Sequence, residues 1–261
     1  MKKVLNNSKW IGKVIHYHDC IDSTNLEAKK LGRQKEPEGT VIWAKEQTSG
    51  KGRRGRSWES RSGDSLLMSV ILRPGIPPSK ASMLTLIQAL AVRKAIHGMT
   101  GLEPLIKWPN DLVLGGKKVC GILTELELAG RETDFVIIGT GININQTGFS
   151  EDLEKTATSL SLETMGKQIE ILALMEEVCK EFEIYYEEFL KTEDLSFVSE
   201  EYNRYLINKD RQIKVWDPAG EYEAKALGIN TLGELLVETK EKELRTVYAG
   251  EVSVRGVYGY T

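Results

Sequence analysis

Apolar positions along this chain change period several times, and each change marks an element. Residues 14–18 (VIHYH) read as a short strand. Asp22-Ser23-Thr24-Asn25 then opens a helix over Leu26 to Leu31, with Ser23 or Thr24 as the N-cap. Residues 40–47 begin with β-branched and aromatic side chains and predict a strand, followed by a polar, glycine-rich loop from Thr48 to Asp64. The apolar run 65–73 predicts a buried strand closed by Pro74-Gly75. In 79–97, Met83, Leu86, Ile87 and Leu90 recur at helical spacing, which predicts a helix capped by Ser79 and stopped at Gly98.

Shorter strands come next. Residues 105–107 run into a turn, Lys107-Trp108-Pro109-Asn110-Asp111. Strands at 111–114 and 117–125 flank Gly115-Gly116, a strong hairpin signal. Ala129-Gly130-Arg131 separates 122–128 from 134–138 as a second hairpin, and Gly139-Thr140-Gly141 interrupts the strand before Ile142-Asn143. An acidic helix is expected over 167–190 and a shorter one over 196–206. From 211 to 250, short strands alternate with turns at Asp217-Pro218-Ala219-Gly220, Asn230-Thr231-Leu232-Gly233 and Lys240-Glu241-Lys242, the pattern of a small all-β module. The expected division is therefore 1–208 and 209–261.

Composition excludes several classes. With 41% hydrophobic and 28% charged residues, the chain is neither disordered nor fibrous. Its longest apolar stretch, Ile171 to Met175, is far too short to span a membrane. Met1-Lys2-Lys3 is not followed by the apolar core of a secretory signal. Cys20, Cys120 and Cys179 are widely separated and form no Cys-x-x-Cys pair, so a disulfide scaffold is not expected and a reducing cytoplasm is. No His-x-x-x-His or Gly-x-Ser-x-Gly motif points to a zinc or serine hydrolase. The net charge of -3 hides an asymmetry: residues 1–120 carry 21 Lys/Arg against 10 Asp/Glu, and residues 121–261 carry 14 against 28. The front half should attract an anion.

The densest positive charge lies in Gly50-Lys51-Gly52-Arg53-Arg54-Gly55-Arg56-Ser57-Trp58. Gly50, Gly52 and Gly55 satisfy G-x-G-x-x-G, but the segment leads into a strand instead of opening a helix, so it is not a dinucleotide fingerprint. It is not a P-loop either, because Gly52 follows Lys51 where Ser or Thr is required. What remains is a loop whose glycines let backbone N–H groups approach an anion and whose arginines carry permanent charge, with Trp58 able to anchor its end. A solvated basic loop or a nucleic-acid contact fits the same residues.

Three further segments narrow the choice: Asp22-Ser23-Thr24-Asn25; Lys107-Trp108-Pro109-Asn110-Asp111 with Lys118 and Gly121-Ile122-Leu123-Thr124-Glu125; and Gly139-Thr140-Gly141-Ile142-Asn143. With Gln47 and the basic loop, in this order, they resemble biotin protein ligase over nearly the whole chain from about Ile11. The resemblance implies ATP, biotin and Mg²⁺, formation of biotinyl-5′-AMP, and transfer of biotin to a lysine of a biotin carboxyl carrier protein domain. It implies an α/β fold: a mixed, mostly antiparallel sheet with helices on one side, like a class II tRNA synthetase core, followed by a small SH3-like β barrel. Since the first family strand falls near residue 14, the resemblance is to the monofunctional type without DNA binding. Dimers are common in that family, and a homodimer is expected.

The resemblance also assigns roles. Ser23, Thr24 and Gln47 would hydrogen-bond the ureido ring of biotin, with Asn25 beside them; helix capping and strand-end bonding are the alternative explanation. Gly50, Lys51, Gly52 and Arg53 would form the biotin and adenylate loop, with Arg53 on the phosphate. Lys51 stands where arginine is frequent, which keeps the charge but not the bidentate fork. Lys118 would bridge the biotin carboxylate and the α-phosphate. Asp111 would hold Lys118 or a metal, and Asn143 would lie near ATP and Mg²⁺. Gly121, Leu123, Gly139 and Thr140 would wall the biotin pocket. A lipoate ligase shares the adenylation logic but lacks this basic loop. A nucleic-acid-binding protein would show salt-steep polynucleotide binding without ATP.

Overall fold

The structure, a computed structural model, describes residues 5, 7–59, 62–217, 220–249 and 253–256. In chain order the first part holds β1 (Ile15–His18), α1 (Thr24–Arg33), β2 (Val41–Ala44), β3 (Ser65–Leu72), α2 (Ala81–Thr100), β4 (Leu105–Lys107), β5 (Asp111–Leu114), β6 (Lys117–Ala129) and β7 (Glu132–Asn143). Helices α3 (Glu151–Glu154), α4 (Leu160–Glu163), α5 (Ile171–Thr192) and α6 (Ser199–Tyr205) follow. The chain continues through β8 (Gln212–Asp217), β9 (Gly220–Ile229), β10 (Leu235–Thr239), β11 (Leu244–Val247) and β12 (Ser253–Gly256).

The first seven strands form one sheet in the order β1-β2-β3-β7-β6-β5-β4. Only β1 and β2 run parallel; every other neighbouring pair is antiparallel. This is the expected α/β architecture with a mixed, mostly antiparallel sheet. The helices, however, occupy both faces. Along β2, β3 and β7 side chains alternate. Val41, Met68, Val70 and Ile138 join the core beneath α2 and α5. Ile42, Ile71, Phe135 and Ile137 meet Ala28 and Leu31 of α1 on the other side. Since α1 is only ten residues long, it covers β2, β3 and one end of β7 and leaves the rest of that face open.

Several boundaries move for identifiable reasons. Helix α2 passes through Gly98 and stops at Gly101, whose φ of 75° suits the left-handed position after a helix. Ser79 does not cap α2; it lies within a 3₁₀ turn, Pro78–Lys80, that leads in. Ser23 does occupy the N-cap of α1, but its side chain makes no capping hydrogen bond. The acidic helix starts at Ile171 and the next one at Ser199. Gly139-Thr140-Gly141 does not interrupt β7, because both glycines stay in register with β3 and β6: Ser69↔Gly139↔Leu123 and Leu67↔Gly141↔Gly121. The Gly115-Gly116 hairpin is present, with positive φ at both residues.

Strands β8 to β12 form a second, wholly antiparallel sheet in the order β11-β10-β9-β8-β12. Its edge strands, β11 and β12, do not pair with each other among the described residues, so the expected barrel is observed as a five-stranded sheet. Pro218 and Ala219 of the expected turn lie outside the described residues. The two sheets are tied together at the Lys107–Asp111 turn. The backbone N–H of Trp108 donates to Asn208 Oδ1 at 3.1 Å, and its indole N–H donates to the Gly233 carbonyl at 3.0 Å.

Packing between α1 and the sheet leaves no spare volume. A Cβ added at Gly32 would lie 2.4 Å from the Phe135 ring. Gly32→Ala should therefore lower stability by about 1–3 kcal/mol, the usual cost of overpacking. Urea unfolding should show a lower midpoint, and an unchanged midpoint would show that α1 can shift freely.

Candidate active site

The uncovered part of the α1 face is floored by residues with little or no side chain. Gly121 and Gly141 are cross-strand partners, and Leu123 pairs with Gly139 beside them. Three of these glycines are already overlain. A Cβ on Gly139 would fall 2.2 Å from Asn25 Oδ1, one on Gly141 2.6 Å from the Trp58 ring, and one on Gly121 2.9 Å from both Trp58 and Lys118 Nζ. Asn25 thus rests on Gly139 itself, while the indole of Trp58 covers the other two. Between these groups lies a narrow cavity that opens to solvent, with about 470 Å³ of empty space when its mouth is included. Its walls include Ser23, Thr24, Asn25, Gln47, Leu123 and Lys118.

The polar end is built where α1 begins. The Gln47 side-chain carbonyl accepts from the Thr24 backbone N–H at 2.7 Å and lies 3.0 Å from Thr24 Oγ1. Ser69 Oγ is 2.8 Å from Thr24 Oγ1 and 2.6 Å from Asn25 Oδ1. Asn25 Nδ2 donates to Glu125 Oε2 at 2.7 Å and reaches the Leu123 carbonyl at 3.3 Å. Ser23, Thr24, Asn25 and Ser69 are all buried.

Lys118 reaches the cavity because β6 is irregular. In a regular strand, Lys118 and Gly121 would face opposite ways. The pairing of β5 with β6 shifts register between Leu112 and Val113, leaving Val119 as an extra residue, and Val119 and Cys120 are both buried in the core. That bulge turns Lys118 onto the glycine face. There its Nζ forms an ion pair with Asp111 Oδ1 at 2.7 Å and stands 5.4 Å from the centre of the Trp58 ring. The backbone of Lys118 is held by Thr156 and Thr158 on either side.

Arg53 closes the other end. It donates to Asn110 Oδ1 at 3.0 Å and to the backbone carbonyl of Ala249 in the second module. Asn110 Nδ2 in turn donates to Asp111 Oδ1 and to the Ile122 carbonyl. Burial holds the Arg53 guanidinium below its ordinary value; Asp111 opposes this, and the neighbouring Arg54 and Arg56 add to it. An arginine starts so far above neutrality that it remains cationic. A second, more polar basin opens beyond Arg53, between Arg54, Arg56, Lys107 and Asp111, with Val254 of β12 on its rim. Gly52, Arg53, Trp58, Asn110 and Lys118 belong to both spaces.

Most residues singled out in the sequence therefore converge. Four behave differently from a simple pocket wall. Thr140 contributes only from its strand: alternation turns its side chain to the α2 face, where it accepts from Gln88 Nε2 at 2.9 Å. Asn143 borders neither space; its side chain donates to the Thr158 carbonyl and accepts from Gln146. Gly50 serves the loop, its carbonyl accepting from the Trp58 N–H at 2.9 Å. Asn25 lines the cavity with both ends of its amide bonded within the protein. Among the described residues no cluster of three or more His, Cys, Asp or Glu could hold a metal, so Asp111 is a single carboxylate already paired with Lys118.

Trp58, Ser69, Asn110 and Glu125 were missed as site residues. Ser69 had a usable signal, a lone polar residue inside a continuous apolar strand. Asn110 lay within the turn motif. The sequence marks Trp58 as an anchor for the loop end; that the surface it packs on is the glycine floor is decided by the tertiary packing. Gly141→Ala should push Trp58 off the floor and free the loop. Trypsin should then cut at Arg53, Arg54 or Arg56 severalfold faster while the melting temperature changes little; unchanged cleavage would show that the loop is held elsewhere.

Known proteins share this arrangement. Residues 17–143 match the Biotin/lipoate A/B protein ligase family, and residues 210–255 match the Biotin protein ligase C terminal domain. Over 246 residues the chain is 36% identical to the Bifunctional ligase/repressor BirA of Bacillus subtilis, covering 94% of this chain and 75% of that protein. It is 39% identical over 125 residues to the Biotin--[acetyl-CoA-carboxylase] ligase of Paracoccus denitrificans, covering 47% of this chain and 51% of that one. Among solved structures, biotin protein ligase from Aquifex aeolicus in complex with biotin and ATP superposes with a TM-score of 0.80 at 28% identity, covering 93% of this chain and 98% of that one.

Proposed function

The chain belongs to the biotin protein ligase family, and from that premise we propose how its two joined spaces divide the work. It is an ATP-dependent ligase that activates biotin as biotinyl-5′-AMP and transfers biotin to a lysine of a carboxyl carrier protein domain. One observation carries the assignment of parts: an apolar-floored chamber with a polar end opens into a cation-rich basin, and Lys118 and Arg53 stand at the junction. A bicyclic acid in the first chamber would point its carboxylate at that junction, and the phosphates of ATP would lie in the second.

In this reading Ser23, Thr24 and Gln47 bind the ureido ring, and Gly121, Leu123 and Gly139 support the rings. Lys118 neutralises both the attacking carboxylate and the α-phosphate, held in place by Asp111. A carboxylate oxygen bonds to the α-phosphorus and pyrophosphate leaves. The lysine amine of the carrier then bonds to the acyl carbon, and AMP leaves with the anhydride oxygen. Arg53 stabilises the phosphate charge in both steps. Lys51 and Gly52 close the loop, which excludes water from a hydrolysable anhydride. Mg²⁺ would arrive with ATP, held mainly by phosphate oxygens with Asp111 nearby, because among the described residues no cluster of three or more His, Cys, Asp or Glu could hold it. Residues 1–208 would form the catalytic unit and 209–261 a second unit that completes the basin. A homodimer and a cytoplasmic location belong to the same proposal, and sedimentation would check the first. No described helix is long and apolar enough to cross a membrane.

ATP–pyrophosphate exchange tests the reading. Exchange should require biotin and Mg²⁺, and lipoate should not support it; exchange with lipoate alone would overturn the ureido assignment. Lys118→Ala and Arg53→Ala should each slow adenylate formation by about 10²–10³, the usual cost of losing one preorganised charge. Near-normal turnover in both would remove these residues from the chemistry. Chelation with EDTA should abolish exchange, and added Mg²⁺ should restore it.

A further inference from the structure

Glu125 borders none of the site's cavities, yet its carboxylate sits at one end of a hydrogen-bond chain whose other end is the ligand's polar anchor. We propose that Glu125 is a specificity-determining positioning residue: it fixes the amide of Asn25 and, through it, the proton of Ser69, so that Thr24 keeps a lone pair for the ligand and faces it as an acceptor. The inference rests on the reading of Thr24 and Gln47 as the ureido-binding groups.

The argument counts donors and acceptors. A carboxylate only accepts, so Asn25 must turn its NH₂ toward Glu125, at 2.7 Å, and its oxygen toward Ser69, at 2.6 Å. The Ser69 hydroxyl has one proton, and the Asn25 oxygen claims it. Ser69 therefore cannot donate to Thr24, 2.8 Å away. At the opposite end, the Thr24 backbone N–H can only donate, which fixes the oxygen of Gln47 toward Thr24. The Thr24 hydroxyl donates to Gln47 Oε1 at 3.0 Å, so its proton stays within the protein. A lone pair on Thr24 and the NH₂ of Gln47 are what remain for the cavity. An acceptor beside a donor matches the N–H and C=O of a cyclic urea. Asn25 cannot move aside, because it is seated on Gly139. Without an acceptor at position 125, the Asn25 amide can turn over, and Ser69 can give its proton to Thr24 instead, which occupies a lone pair that the ligand N–H would otherwise use.

The test is the ratio of affinities for biotin and for its cyclic carbamate analogues, in which one or the other ring N–H is replaced by oxygen, so that a donor becomes an acceptor. Titration calorimetry on the full chain would be run for the wild type, Glu125→Gln and Glu125→Met; the second variant keeps the volume and removes the acceptor. Glu125→Met should bind biotin more weakly, and its preference for biotin over the better carbamate should fall about tenfold, or 1.4 kcal/mol; Glu125→Gln, whose amide oxygen can still accept from Asn25, should retain most of that preference. In the Thr24→Val background, Glu125→Met should no longer change the ratio. A ratio unchanged in Glu125→Met, or equal losses for both ligands, would reduce Glu125 to a structural role and overturn the proposal. A wild type that binds no biotin would instead overturn the ureido reading, and the inference with it.

Discussion

A strand sends successive side chains to opposite faces, and the site needs Lys118 on the same face as Gly121. The extra residue at Val119 in β6 resolves that conflict. It gives the core two consecutive side chains, Val119 and Cys120, and gives the other face a lysine directly above a glycine floor. Asp111 is paired with Gly121 across the same two strands, so its carboxylate meets the ammonium at 2.7 Å without any long-range adjustment. Because the bulge is part of the sheet, the charge at the junction is set on a rigid element, and its position costs little reorganisation when ligands bind.

The glycines act on thickness, not on flexibility. Gly121, Gly139 and Gly141 remain in register with their neighbours, and the hydrogen-bond ladder runs through them unbroken. What they remove is the layer of Cβ atoms. Asn25 and Trp58 fill that layer at opposite ends, one as a fixed polar group and the other as the inward end of a basic loop. The arginines of that loop thereby meet the site instead of standing in solvent. Arg53 is tied to Asn110 on the catalytic turn and to Ala249 on the second sheet.

The second sheet therefore contributes to the site by contact. The indole of Trp108 bonds to Gly233, Asn208 holds the Trp108 backbone, Ala249 receives Arg53, and Val254 forms part of the rim of the polar basin. The turn that carries Asn110 and Asp111 is fixed from both sides, by β4 and β5 within the main sheet and by the smaller sheet behind it. Loss of the smaller sheet would release both that turn and Arg53.

The sequence by itself determined the elements and the residue types. Periodicity placed the strands of the main sheet and the four longer helices, because local hydrophobic spacing reports which side of an element is buried; the one-turn helices α3 and α4 and the last strand β12 are too short to carry such a signal. The Gly115-Gly116 hairpin and the all-β end were legible from turn chemistry, and the order of short motifs pointed to the family. Only the tertiary structure decided which way side chains face and what lies across from them. Gly139-Thr140-Gly141 looked like a break and is continuous strand, since glycine lowers strand propensity but pairing on both sides overrides it. Thr140 and Asn143 looked like site residues, yet their side chains are bonded elsewhere. The bulge that presents Lys118, the inward fold of Trp58, and the link from Glu125 through Asn25 to Thr24 join residues up to about a hundred positions apart. No local pattern encodes such contacts, because they depend on strand register, and register is settled only when the whole sheet packs.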